Sequence, residues 1–358
     1  MTVPLMELQG QWAALMPRAK QALLDVVDSG RYILGPQVEA FEREAAAMLG
    51  VAHGVGVANG TDALALALRA VGVERGDEVI CPSYTFYATA EAIAAVGAVP
   101  VFADIRDDYD LDPAAVEAAV TPRTRAVVAV HLFGHVADLE ALRAVCDRHG
   151  LALVEDAAQA FGASHGVAQV GDVATFSFFP TKNLATFGDG GLITTPREDV
   201  ADTCRTLRFH GSKDKQTFTQ IGYNSRLDEL HAAVLRVFLE GVGAWNEARR
   251  AAAVRYRELG LGEHATLPPD GGIYHLYMTR VADRARVVEA CRAAGVACGV
   301  YYATPLHRQP VFADLPARDL PVTEACAREG LALPMFPTLS SEQQREVVAA
   351  VASARTPA

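Results

Sequence analysis

Cysteine is sparse and carries no pairing signature. Cys81, Cys146, Cys204, Cys291, Cys298 and Cys326 are scattered, with no Cys-x-x-Cys and no short disulfide framework. Several lie in apolar stretches and read as reduced core residues. No uninterrupted apolar run is long enough to span a bilayer. The opening segment Met1–Glu7 lacks the basic-then-apolar order of a secretory leader, so a soluble, cytoplasmic protein is expected. Positive charge is also short, with 32 Lys and Arg against 43 Asp and Glu and a net charge of −11. That balance argues against non-specific nucleic-acid binding. It leaves room for a small anion at a local patch, such as Arg205, Arg208, His210, Lys213 and Lys215. There is no Gly-x-Ser-x-Gly elbow and no evident Cys–His pair. His131 and His135 stand four apart, but Gly134 and the strand before them argue against a helix presenting both to a metal, so no metal is expected.

What is present is a chain of 358 residues that are 51% hydrophobic, enough for one large domain and a smaller one. An amphipathic stretch at about 11–29 stops at Ser29-Gly30, and a second helical stretch covers about 37–49. Short β-rich runs then alternate with helices. Val55-Gly56-Val57 precedes a helix at about 61–71, Glu78–Cys81 one at 86–96, and Val99–Phe102 one opening at Asp112-Pro113. Ala126–Val130 precedes one at 137–149, and Leu151–Val154 follows. This alternation predicts an α/β fold with a mostly parallel sheet covered on both faces. A long helix is expected over about 226–259, opened by a Ser225-x-x-Asp228 capping pattern. Residues 1–244 are read as the large domain and 245–358 as a small α+β domain, with the boundary inside that helix.

Lys182 is the most informative residue. It follows the apolar run Ser177-Phe178-Phe179 and the turn Pro180-Thr181, and precedes the flexible cluster Gly188-Asp189-Gly190-Gly191. An amine at the rim of a core is partly desolvated, which favours the neutral nucleophile of Schiff-base chemistry; a solvated loop lysine is the other reading. Asp156, in Glu155-Asp156-Ala157-Ala158-Gln159, falls at the carboxyl end of a predicted strand, where open α/β sheets bind ligands. It could hold a heterocyclic nitrogen protonated, or simply cap a helix. Gln159 could bond that ring's edge. Asn59-Gly60-Thr61 starts a helix whose free N–H groups suit a phosphate, or form an ordinary capped turn. Phe86 suits ring stacking or core packing. Asn224 suits an anion or a helix start, and the segment from Tyr301 to Gln309 mixes hydroxyl, imidazole and guanidinium groups. Jointly the amine, carboxylate, helix start and aromatic are the parts that one cofactor requires, pyridoxal 5′-phosphate.

From about Gly30 to Pro334 the chain resembles the DegT/DnrJ/EryC1/StrS sugar aminotransferases. The motifs run in family order: Gly35-Pro36 with Val38–Glu42, Asn59–Leu64, Pro82–Phe86, His131–His135, Glu155–Gln159, and Ser177–Leu184 with Gly188–Gly191. The resemblance implies a fold-type-I pyridoxal phosphate enzyme, with Lys182 tethering the cofactor and Asp156 on its ring nitrogen. Gln159 would contact it, Phe86 would stack on it, and Gly60, Thr61 and Ser177 would bind its phosphate. Asn224 would join from the neighbouring subunit of a homodimer. Tyr32, Tyr301 and His307 would lie near the substrate. The implied reaction moves an amino group, with glutamate as donor, onto a nucleotide-diphosphate keto-sugar, by family prevalence a dTDP-keto-6-deoxyhexose. Alternatives are a cyclitol ketone, dehydration, or a non-catalytic regulatory protein. Lysine rather than histidine at 182 favours transamination. Ala185 stands where the family commonly has glycine.

Overall fold

The computed structural model describes residues 3–163, 166–316 and 318–354. Seven strands form the main sheet: β1 His53–Val57, β2 Glu78–Pro82, β3 Val99–Ala103, β4 Thr124–Val130, β5 Ala152–Asp156, β6 Val173–Ser177 and β7 Gly191–Thr195. Their spatial order is β1-β7-β6-β5-β4-β2-β3. Six run in one direction, and β7 alone is antiparallel to its neighbours. The carboxyl ends of six strands and the start of β7 therefore share one edge.

The apolar runs read as strands because both faces of the sheet are covered. Along β4, Val127 and Ala129 join a core with the helices Pro113–Ala119 and Leu139–His149. The alternate residues Ala126, Val128 and Val130 join the opposite core with Gly60–Ala70 and Ala88–Ala95, as a period of two requires. Asp112 caps its helix as its sequence suggests, accepting from the Ala114 N–H at 2.9 Å.

Two local expectations are corrected. The stretch 11–29 is two helices, Leu8–Trp12 and Met16–Ser29, because Pro17 has no N–H to donate and is tolerated only in a first turn. The helix Glu229–Glu258 has Asp228 at its N-cap without a side-chain bond. Ser225 does not cap it; its hydroxyl accepts from the Ala58 N–H at 3.1 Å.

That 30-residue helix is about 45 Å long at 1.5 Å per residue. Its first half, with Leu235 and Phe238, packs under the main sheet. Its second half, with Ala252 and Tyr256, enters another core with Val3, Tyr277, Val287 and Val347. Around this core lie β8 Tyr277–Arg280 and β9 Gly330–Leu333, paired antiparallel, and the helices Arg284–Ala293 and Ser341–Ser353. The expected division at 244/245 falls inside the helix. No helix among the described residues is long and apolar enough to cross a membrane.

Candidate active site

The shared strand edge opens into a cleft of about 680 Å³ lined by Gly60, Thr61, Phe86, Asp156, Gln159, Ser177, Lys182 and Tyr301. Residues from Gly60 to Lys182 meet because each ends or follows a strand reaching this edge, and Tyr301 reaches it from the smaller, C-terminal part of the chain.

Asp156 ends β5, in register with Val130 of β4, and its carboxylate is buried. The Thr89 hydroxyl donates to Oδ2 at 2.8 Å and the Ala158 N–H to Oδ1 at 3.2 Å. Burial raises the Asp156 pKa, while these two bonds and the charge of Lys182 oppose the rise. Thr89 in turn lies 3.2 Å from the Thr85 hydroxyl. Neither threonine stood out in the sequence. Their spacing of four, bracketing Phe86 to Ala88 at a helix start, is the signal that could have revealed them.

Lys182 lies on the connection from β6 to β7, its N–H donating to the Phe179 carbonyl at 2.9 Å. The side chain is half-buried, reaching the cleft through packed surroundings. Burial lowers its pKa to about 8, against the pull of Asp156 in the other direction. The neutral amine is therefore far more accessible near neutrality than that of an ordinary lysine, and available as base or nucleophile.

At the other end, Asn59 caps the helix Gly60–Ala70 by accepting from the Asp62 N–H at 2.8 Å. The first amides, of Gly60 and Thr61, stay directed to the cleft with the positive end of the helix. A Cβ on Gly60 would lie 2.7 Å from the Ser177 Cβ, so only glycine lets Ser177, the last residue of β6, approach this turn. Phe86 is 56% exposed, with its ring 6.2 Å from that of Tyr302. The Gln159 carbonyl accepts from the Phe133 N–H at 2.6 Å, leaving its amide 3.5 Å from the Tyr302 hydroxyl.

Three residues named from the sequence are not brought to this cleft within the chain. Tyr32 is exposed elsewhere and donates to the Val27 carbonyl at 3.2 Å. Asn224 is exposed, its side-chain oxygen bound by the Arg226 guanidinium. His307 has both nitrogens engaged, with the Ser83 hydroxyl at 2.7 Å and Glu324 at 2.9 Å. His131 and His135 face different carboxylates, Glu155 and Asp110. The basic patch is likewise dispersed: Arg208 turns inward to Glu42 and the Gly56 carbonyl, while Arg205 and Lys213 pair with Asp202.

Residues 14–352 match the profile of the DegT/DnrJ/EryC1/StrS aminotransferase family. The chain belongs to this family. It is 44% identical to a dTDP-3-amino-3,4,6-trideoxy-alpha-D-glucose transaminase of Streptomyces venezuelae, over 98% of this chain and 95% of that one. It is also 44% identical to a UDP-N-acetyl-3-dehydro-alpha-D-glucosamine 3-aminotransferase of Acidithiobacillus ferrooxidans, over 95% of both. A pleiotropic regulatory protein of Geobacillus stearothermophilus is 46% identical over 98% of both chains. In structure the chain resembles S. venezuelae DesV, solved with a ketimine intermediate, at a TM-score of 0.95, 43% identity and 99% coverage of both chains.

This member of the DegT/DnrJ/EryC1/StrS family is a pyridoxal-phosphate-dependent aminotransferase, and its cleft fits that cofactor. The glycine-only approach of Gly60 to Ser177 leaves a cradle for a phosphate at a helix start. Ala158, beside the buried Asp156, lines the cleft with a small side chain and leaves space for a flat ring.

Proposed function

We propose that the chain transfers an amino group from glutamate to a nucleotide-diphosphate keto-sugar, with a dTDP-linked 6-deoxy keto-hexose as the first acceptor to test. The observation that carries the reading is the meeting of a depressed-pKa lysine and a buried carboxylate in one cleft. The names of the dTDP- and UDP-sugar relatives support the substrate class.

Bound pyridoxal phosphate supplies an aldehyde for amines and a ring that accepts the electron pair left at the amino donor's α-carbon. Lys182 would be the amine that holds the aldehyde. When free, it would be placed to take the donor's α-proton and to deliver a proton at the other side of the transfer, acting as both base and acid. Asp156 keeps the ring nitrogen protonated, and Thr89 and Ala158 fix the carboxylate's direction. The first amides of the helix Gly60–Ala70, Thr61 and Ser177 bind the phosphate. Phe86 covers one ring face, and Gln159 meets the ring's edge. Tyr301 faces the same space and is assigned to the sugar. Tyr32 and His307 are assigned to its outer part, and Asn224 to the partner's site in a cytoplasmic homodimer.

A non-catalytic reading draws support from the name of the regulatory relative. The intact Lys182–Asp156 pair speaks against it, because a sensor has no use for a proton shuttle.

Purified protein mixed with glutamate and a panel of dTDP- and UDP-linked 3-keto and 4-keto sugars should yield an amino sugar with at least one of them, with 2-oxoglutarate as coproduct. No amino-sugar product across the panel would move the assignment to a cyclitol ketone or to the non-catalytic reading.

A further inference from the structure

Lys182 lies between β6 and β7 in a connection without helix or strand, so no regular ladder holds its backbone. Two turn bonds hold one side: the Lys182 N–H donates to the Phe179 carbonyl and the Thr186 N–H to the Phe178 carbonyl, both at 2.9 Å. The other side is held by the next residue, Asn183, which is buried. Its side-chain amide donates to Asn246 Oδ1, in the long helix, at 2.8 Å and to the Ile273 carbonyl, ahead of β8, at 3.3 Å. Its Oδ1, which can only accept, lies 3.2 Å from His275 Nδ1. Its backbone carbonyl accepts from Gln11 Nε2, in the helix Leu8–Trp12, at 3.3 Å. These anchors are fixed in turn. Asn246 is buried and donates to the Phe161 carbonyl at 3.2 Å. Gln11 is buried, and its Oε1 accepts from Arg249 at 3.2 Å. The Arg249 guanidinium also donates to the carbonyls of Tyr274 and Met335, at 3.3 and 3.0 Å. Unbroken hydrogen bonds thus run from the peptide beside the lysine to Phe161 in the core under the main sheet and to Met335 in the C-terminal core.

We propose that Asn183 is a positioning residue for Lys182: by tying the peptide after the lysine to the Leu8–Trp12 helix, the long helix and the segment ahead of β8, it fixes the point from which the amine enters the cleft. The inference rests on Lys182 being the cofactor lysine. Asn183 stands behind the cleft wall and is not among the residues that line it, so it acts through the backbone and not by touching a ligand. The lysine stem is flexible, and only a fixed Cα narrows the region its amine can reach. A misplacement of about 1 Å at a reacting group costs on the order of 100-fold in rate, so a buried clamp beside the lysine has a direct chemical use.

The test uses the full chain freed of cofactor and two probes that separate the amine's position from the integrity of the cleft. Attachment of pyridoxal phosphate to the lysine is followed by absorbance. Pyridoxamine phosphate fills the same cleft without bonding to the lysine, and its dissociation constant is measured by titration. In Asn183→Ala, and equally in the remote Asn246→Ala, attachment should slow by about tenfold or more while the pyridoxamine phosphate constant stays within about twofold. Attachment at the wild-type rate overturns the proposal. An equal loss for both probes also overturns it, because a general loosening of the fold would give that result. Should neither variant fold, amide hydrogen exchange of the wild-type chain decides. The Lys182 and Thr186 amides should exchange at least about 100-fold more slowly than in an unstructured peptide, and faster exchange overturns the proposal. Borohydride reduction of the pyridoxal phosphate enzyme separately locates the cofactor. Attachment at another lysine would sink the functional reading, while the exchange result still judges the clamp.

Discussion

Lys182 and Asp156 are both shifted by burial toward their neutral forms, and each is matched to a different task. A base needs a free lone pair near neutrality, whereas a carboxylate paired with a ring nitrogen needs only to be dry and well aimed. Lys182→Ala should lower turnover by a factor on the order of 10² to 10⁴, the usual worth of a general acid–base group, measured as 2-oxoglutarate release. Thr89→Val removes a bond to a charged carboxylate worth about 1.5–3 kcal/mol. It should cost roughly tenfold or more in kcat with the sugar's KM little changed. The lysine's shift also predicts a stability difference in the cofactor-free protein. Its folded pKa of about 8 lies below the unfolded value, so between these values the unfolded chain binds the extra proton and stability rises with pH. Lys182→Met should therefore stabilise the cofactor-free protein by up to about 3 kcal/mol at pH 7. That gain should disappear as pH rises from 8 toward the unfolded value, as followed by urea unfolding; a pH-independent difference would contradict the assignment. Lys182, Asp156, Gly60 and Phe86 were legible in the sequence because each sits in a short motif at a strand end. Thr89 was not, because its partner lies 67 residues away and no local pattern encodes such a pairing.

Among the elements, the helix starts carry most of the organisation. Gly60–Ala70 is capped by its own Asn59, and a local reading finds it. Pro36–Leu49 has no side-chain cap of its own. The Glu229 carboxylate, from the first turn of the long helix, accepts from the N–H groups of Gly35, Gln37 and Val38 at 3.0, 2.9 and 2.7 Å. Glu229 is buried, so Glu229→Ala would leave these amides without an acceptor. Each buried unsatisfied donor costs about 1–3 kcal/mol, and the variant should lose on the order of 3 kcal/mol in chemical denaturation. A loss under about 1 kcal/mol would mean that water replaces the carboxylate. The same physics explains why the Ser225 capping pattern misled. The serine hydroxyl had a better use in the turn after β1, where it satisfies Ala58.

For the molecule as a whole, the strand–helix alternation made the α/β class and the parallel sheet legible. It could not show the reversed β7, since the direction of a strand after a long irregular connection depends on where the chain re-enters the sheet. That reversal matters, because it puts the whole connection bearing Lys182 on the ligand-binding edge. Asn224 lies outside its own cleft, near the exposed Phe218 and Ile221, as a residue serving a partner's site would. If so, Lys182→Ala and Asn224→Ala subunits, each impaired alone, should complement when mixed, because a heterodimer has one site free of both changes. No recovery on mixing would place Asn224 outside the shared site.

Borohydride reduction tests whether Lys182 is the cofactor's lysine. The chain has only the lysines Lys20, Lys182, Lys213 and Lys215, so borohydride reduction with bound pyridoxal phosphate followed by peptide mapping has few possible outcomes. A single phosphopyridoxyl group is expected on the peptide containing Lys182, absent after prior loading with glutamate. A label on Lys20, Lys213 or Lys215, or none at all, would contradict it.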